Sequence, residues 1–139
     1  MPQSNGLCAS FVLMRDSNAP LEIEKLESCL QPNVLPGWEV QALACPPGRP
    51  PDVAEKMAAA KRAGVMCLLC PNHEGRWSVV VMKRTEDGTT HSGQLAFPGG
   101  AEEPADEGDL MQTALRGWGE EVGVKVPPQR VLGALSSVY

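Results

Sequence analysis

Arg116, Glu120 and Glu121 are the residues of this 139-residue chain best spaced to do chemistry together. They stand in "LRGWGEEVGV", Leu115 to Val124. On a helix, adjacent glutamates lie about 100° apart around the axis. Position 117, three and four residues earlier, projects toward the same side. Carboxylates gathered in this way suit a hard cation such as Mg²⁺, which takes oxygen ligands. Such a cation neutralises a pyrophosphate and orients an attacking water. Arg116, four residues before Glu120, is spaced to pair with it and hold it in place. Position 117 itself is a glycine. Gly117 and Gly119 each lower helix stability by about 1 kcal/mol relative to alanine. Taken alone, these residues also read as an exposed helix face with one ion pair.

A helix must carry this constellation. Asp109, three residues before Gln112, marks its start with a capping-box spacing. Met111, Leu115, Trp118 and Val122 form its apolar face, and Gly123 its stop. Upstream, "LEIEKLESCL" places Ile23, Leu26 and Leu30 at helical spacing, and Pro32 and Pro36 end that helix. "ACPPGRPP", residues 44–51, is a stiff connector. "DVAEKMAAAKRAG" reads as a second helix, capped by Asp52 and stopped at Gly64 after Lys61 and Arg62. "VMCLLC" and "WSVVVMKR" are strands, and "PNHEG" between them makes the pair a hairpin. "TEDGTTHSG" is a polar loop, "QLAFPGG" a short strand ending in a turn, and "AEEPADEG" an acidic loop. "RVLGALSSVY" supplies a last strand.

Composition bounds what such an assembly does. A net charge of −5 argues against nonspecific nucleic-acid binding and against an anionic membrane surface. No apolar run approaches the roughly 20 residues that span a bilayer. The short apolar patch near the start has no basic residue before it, so no signal peptide is read and the cytoplasm is the expected compartment. The five cysteines then read as free thiols. "CLLC", Cys67 to Cys70, with His73 nearby, offers three of the four ligands structural zinc needs. The continuous apolar run around it reads instead as a buried strand.

The order of motifs carries a resemblance. A "GG", an acidic loop and "ALRGWGEEVGV" resemble the Nudix box, G-x5-E-x7-R-E-U-x-E-E-x-G-U, with U a bulky apolar residue. Arg116, Trp118, Glu120, Glu121, Gly123 and Val124 match its R, U, E, E, G and U. "HSGQLAFPGG", His91 to Gly100, looks like the signature of the coenzyme A diphosphatase branch of that family, and "KRT", Lys83 to Thr85, resembles its strand end. "PPGRPP" and "AGVMCLLCP" are similar to the entry region of that branch.

The resemblance implies an α/β/α sandwich around a mixed sheet, with residues 1–34 as an N-terminal helical extension and 35–139 as a Nudix domain. It implies Mg²⁺ or Mn²⁺, with Glu120 and Glu121 as metal ligands. It further implies that Glu120, Glu121 and Arg116 are catalytic and that Arg84, His91, Gln94, Gly99 and Gly100 contact the substrate. The reaction it implies is hydrolysis of the pyrophosphate of coenzyme A or acyl-CoA. The products are 3′,5′-ADP and 4′-phosphopantetheine or its acyl form. ADP-ribose or another nucleoside diphosphate derivative is an alternative substrate. A degenerate domain that binds a nucleotide or a protein without turnover is an alternative role.

The sequence also departs from the pattern. Gly117 stands where the box has a glutamate. Two more residues separate Gly100 from Arg116 than the box allows, which puts the upstream acidic position at Gly108, between Glu107 and Asp109. Thr89 replaces an arginine of the coenzyme A signature. The family's later strands and closing helix are expected to be missing after the box, leaving open strand edges through which two copies would pair.

Overall fold

The computed structural model describes residues 7–15, 23–31, 35–36, 40, 43, 58–88 and 91–137, with 7–15 and 23–24 as backbone alone. The expectations at Pro32, the 44–51 connector, the Asp52 cap and Thr89 lie outside the described residues. Strands β1 (Leu7–Arg15), β2 (Lys61–Pro71), β3 (Trp77–Val79), β6 (Gly99–Ala101) and β7 (Val131–Ala134) form one sheet. Its order is β3-β2-β1-β7, with β6 also paired to β2. β1 runs parallel to β2 and every other pairing is antiparallel, so the sheet is mixed. β4 (Met82–Lys83) and β5 (Leu95–Ala96) make a separate two-stranded arm. The helices are α1 (Ile23–Cys29) and α2 (Leu110–Val122). The result is the mixed α/β architecture that the sequence suggests.

The hairpin between β2 and β3 is set by Asn72. Its side-chain oxygen accepts the backbone N–H groups of Glu74 and Arg76, both at 2.9 Å. Gly75, at φ +74°, takes the left-handed position that this turn needs. Three expectations about elements change. The helix expected to run to Gly64 gives way to strand at Lys61, because pairing with β1 from Leu7↔Lys61 onward overrides helical propensity. "WSVVVMKR" is not one strand. The edge of β2 is shared between β3 at 69–71 and β6 at 63–65, so the chain peels away after Val79 and Met82–Lys83 pairs elsewhere. Gly99 and Gly100 are not a turn but strand residues, opposite Val65 and Gly64. The sheet also draws on both sides of the division expected at residues 34 and 35, because β1 pairs with β2 and β7.

α2 packs on the sheet through Ala114 and Trp118, which meet Met66 in the core, with Leu68, Val80, Met111, Leu115, Val126 and Val131 around them. Met66 and Leu68 are two apart on β2 and so share the face toward the helix. Burying a side chain such as Met66 stabilises the fold by about 2 kcal/mol. Trp118 is 3% exposed, and among the described residues its indole N–H has no hydrogen-bond partner. Val122, expected on the apolar face, is instead 38% exposed at the end of the helix. Asp109 caps the start by accepting Met111 N–H at 2.8 Å, and Gly123, at φ +76°, ends the helix as expected. Among the described residues, no helix is long and apolar enough to cross a membrane.

Candidate active site

The candidate site is the junction where the N-terminal side of β6 and the acidic loop after it meet α2. Arg116 organises it. Its Nε and one terminal nitrogen donate to the two carboxylate oxygens of Asp106, at 3.0 and 2.9 Å. The same terminal nitrogen donates to the Ala101 carbonyl at 2.8 Å. The other reaches Glu120 at 3.2 and 3.3 Å and Glu103 at 3.3 Å. The planar fork of arginine suits this bidentate pairing, which a lysine cannot reproduce.

Asp106 is the residue that sequence reasoning missed. The expected acidic position was Gly108, counted back from Arg116. The structure uses Asp106, which is buried, and takes up the additional residues in a left-handed turn at Glu107 (φ 51°) and Gly108 (φ 82°). Asp106 also accepts the Glu103 N–H at 2.9 Å and the Thr113 hydroxyl at 3.0 Å. Hydrogen bonds from Arg116, then from the Glu103 backbone and Thr113, hold its carboxyl well below the usual carboxylate range. In turn, Asp106 pushes the Arg116 guanidinium further up. Counting forward from Gly100 would have found Asp106 in the position of the box.

A second arginine, expected at a helix end, pins the same loop from the sheet. Arg62 on β2 pairs with Glu102 at 3.1 Å and donates to the Gly108 carbonyl at 3.1 Å. The loop is therefore held by one arginine from each of the two elements beneath it.

Glu120 and Glu121 are both exposed. Glu120 is tied to Arg116, as the four-residue spacing suggested. Glu121 accepts the Gly99 N–H at 2.8 Å, which brings it to the Gly99–Gly100 segment. Arg84, His91 and Gln94 gather separately, on the arm. The Arg84 N–H donates to the Gln94 carbonyl at 2.9 Å, and His91 Nδ1 lies 3.2 Å from Gln94 Oε1. The chain thus groups the expected site residues into two sets, Gly99, Gly100, Arg116, Glu120 and Glu121 in one and Arg84, His91 and Gln94 in the other.

A divalent cation is the group the resemblance implies, and the donor set does not fit a centre built from three carboxylates. Among the described residues, no group of three or more His, Cys, Asp or Glu is arranged to hold a metal ion. The two glutamates are already engaged, and position 117 has no side chain to add. Zinc at "CLLC" fares no better. Cys67 and Cys70 are three apart on β2 and so point to opposite faces. Burial raises the Cys67 thiol pKa, as for an inert structural cysteine.

Comparison with known proteins adds the lineage. The NUDIX domain family model matches residues 60–139, more than half of the chain. Among similar curated proteins, the mitochondrial coenzyme A diphosphatase NUDT8 of Mus musculus is 47% identical over 49 residues, 35% of this chain and 23% of the relative. Its Homo sapiens counterpart is 49% identical over 49 residues, 35% of this chain and 20% of the relative. The uncharacterized Nudix hydrolase NudL of Pectobacterium atrosepticum is 34% identical over 93 residues, 67% of this chain and 44% of the relative. The matched stretches thus span less than half the length of these relatives. No solved structure gives a significant match.

Proposed function

The chain belongs to the NUDIX domain family, and from that premise we propose that it serves a hydrolase that cleaves the pyrophosphate of a small nucleotide derivative. Coenzyme A or an acyl-CoA is the substrate class favoured, yielding 3′,5′-ADP and 4′-phosphopantetheine or its acyl form. Relatives that bear the name coenzyme A diphosphatase support this choice, as does "HSGQLAFPGG". The observation that carries the reading is the Arg116 fork. It joins Asp106, Ala101 and Glu120, and so fixes the acidic loop and one glutamate of α2, while its neighbour Glu121 accepts the Gly99 N–H.

In this reading, water attacks one phosphorus and the bridging P–O bond breaks as the leaving phosphate departs. Glu120 or Glu121 takes the proton from the attacking water. Arg116 acts through Glu120 and the loop, as a positioning residue. Arg84, His91 and Gln94 on the arm, with Gly99 and Gly100, contact the nucleotide. Nudix hydrolases generally use a divalent ion such as Mg²⁺ or Mn²⁺, which supplies charge neutralisation when bound.

The test is incubation of the chain with coenzyme A and Mg²⁺ or Mn²⁺, with both products followed by mass spectrometry. Glu121→Gln keeps a side-chain oxygen for the Gly99 N–H but removes one of the two carboxylates proposed as the base. It is expected to lower turnover by about a hundredfold or more. Unchanged turnover in that variant would assign the activity to another group or another protein. A second reading, a nucleotide-binding module without turnover, is favoured by the absence of a three-ligand acidic cluster among the described residues. Nucleotide binding with no product would decide for it.

A further inference from the structure

We infer that Gly117 is the docking point of α2 on β6, and that the box helix of this chain consequently presents two carboxylates, with no place for a third at position 117. The inference rests on packing alone and holds whichever nucleotide is cleaved, or none.

Gly117 is buried in the middle of α2. A Cβ built there would lie 2.4 Å from the Gly99 carbonyl carbon, 2.6 Å from the Gly100 nitrogen and 2.8 Å from the Gly99 oxygen. These neighbours are backbone, so no side-chain rotation relieves the overlap. A side chain at 117 starts by pointing into β6, not along the exposed edge that Glu120 and Glu121 occupy.

Neither element is free to retreat. Behind Gly99 stands β2, since a Cβ on Gly99 would itself meet the Gly64 oxygen at 2.3 Å and Val65 Cα at 2.6 Å. The Gly99 N–H is held by Glu121, and Ala101 is held by Arg116. On the helix side, Ala114 and Trp118 sit in the core, and the buried Thr113 donates to Asp106. The helix is thus fixed on both sides of position 117.

Gly119, two residues along the same helix, is the internal control. Among the described residues, a Cβ there would meet nothing within 4 Å. The two glycines share one helix and one propensity penalty, and differ only in what stands against them. Gly119 is a plain helix weakness, whereas Gly117 is an absence of side chain that the fold uses.

Thermal melts and titration with Mn²⁺ alone, followed by electron paramagnetic resonance, test this in Gly119→Ala, Gly117→Ala and Gly117→Glu. Gly119→Ala is expected to raise the Tm by about 3–6 °C, from helix propensity. Gly117→Ala gains the same propensity and is nevertheless expected to melt below wild type. Gly117→Glu is expected to melt lower still, or to lose its cooperative transition, and where folded to change Mn²⁺ affinity by less than about tenfold. Gly117→Ala melting at or above wild type would overturn the docking. A folded Gly117→Glu with Mn²⁺ affinity increased more than about tenfold would overturn the two-carboxylate assignment. If Gly117→Glu does not fold, the alanine pair still decides whether the contact is real.

Discussion

Arg116 reaches Asp106 and Ala101, ten and fifteen residues away, and Gly99 reaches Glu121 across twenty-two. On the β4–β5 arm the backbone pairing of the two strands spans twelve to fourteen residues, but the side-chain contacts among the described residues are short in sequence. Lys83 pairs with Glu86, Ser92 accepts N–H groups from Asp87 and Gly88, and His91 meets Gln94, at separations of three to five. Both regions carry motifs that resemble one family. They differ in what holds them. The junction of β6 and α2 is closed by a buried carboxylate and two elements of the main fold, so its geometry changes only if the fold gives way. The arm is a hairpin that organises itself, with Leu95 72% exposed on it. The proposed site, divided between two such regions, is expected to have one rigid wall and one wall of lower local stability.

The largest expected effect follows from removing the centre of the rigid wall. Arg116→Ala leaves Asp106, almost fully buried, without its principal donor, and strands the loop that Arg116 holds at Ala101. A buried ion pair that loses one partner is strongly destabilising. The Tm should fall by about 10 °C, and the proposed hydrolysis should be lost alongside it. Arg116→Lys keeps the charge but not the two parallel bonds, and should fall between that variant and wild type. Calorimetry of the three proteins orders them. An Arg116→Ala protein that melts with wild type would remove the distinction between the two regions.

Next in size is a pH effect. The Asp106 carboxyl titrates below its unfolded value because Arg116 hydrogen-bonds its charged form. A depressed acid adds stability that is complete above the unfolded pKa, about 3.9, where both states are ionised. Below that value the unfolded chain binds the proton first, and the contribution is lost as the pH falls through the native value. Asp106→Asn should therefore be less stable than wild type at neutral pH. The gap should stay constant down to about pH 5 and narrow at lower pH. Denaturant melts at several pH values measure it, and a gap that widens in acid would contradict the assigned direction.

These residues were legible in the sequence to different degrees. The ends of α2 were read from Asp109 and Gly123 because caps are local signals. The i, i+4 pairing of Arg116 with Glu120 was read for the same reason. Asp106 was not, because the two-residue turn at Glu107 and Gly108 puts it out of step with Arg116, the residue from which the position was counted. Lys61 and Arg62 looked like the basic end of a helix. Their place in β2 comes from partners in β1, Leu7 and Cys8, which are far away in sequence. Gly117 was read as a lost ligand, since sequence shows a missing side chain but not the β6 backbone that fills its place. The cysteine run was read as a strand because its apolar continuity needs no partner to be recognised.

The smallest effect tests the other half of the comparison. The Ser92 hydroxyl accepts the N–H of Asp87 at 3.0 Å and of Gly88 at 3.2 Å, and donates to the Thr85 carbonyl at 3.4 Å. One side chain therefore ties the loop between β4 and β5. Ser92→Ala removes these bonds, but the loop is exposed enough for water to replace them in part, so the net loss is about 1 kcal/mol. That loss belongs to the arm. If the arm opens independently of the core, hydrogen exchange at the Asp87 and Gly88 amides should quicken by several-fold, up to about tenfold. Exchange in β2 should stay unchanged, and the global Tm should move by less than about 2 °C, because the core transition does not include these bonds. The Arg116→Ala protein should show the reverse, with faster exchange across β6 and α2. If Ser92→Ala instead quickens exchange in β2 to the same extent as at Asp87 and Gly88, the arm and the junction unfold as one unit, and the local bonds of the loop are part of what holds the sheet.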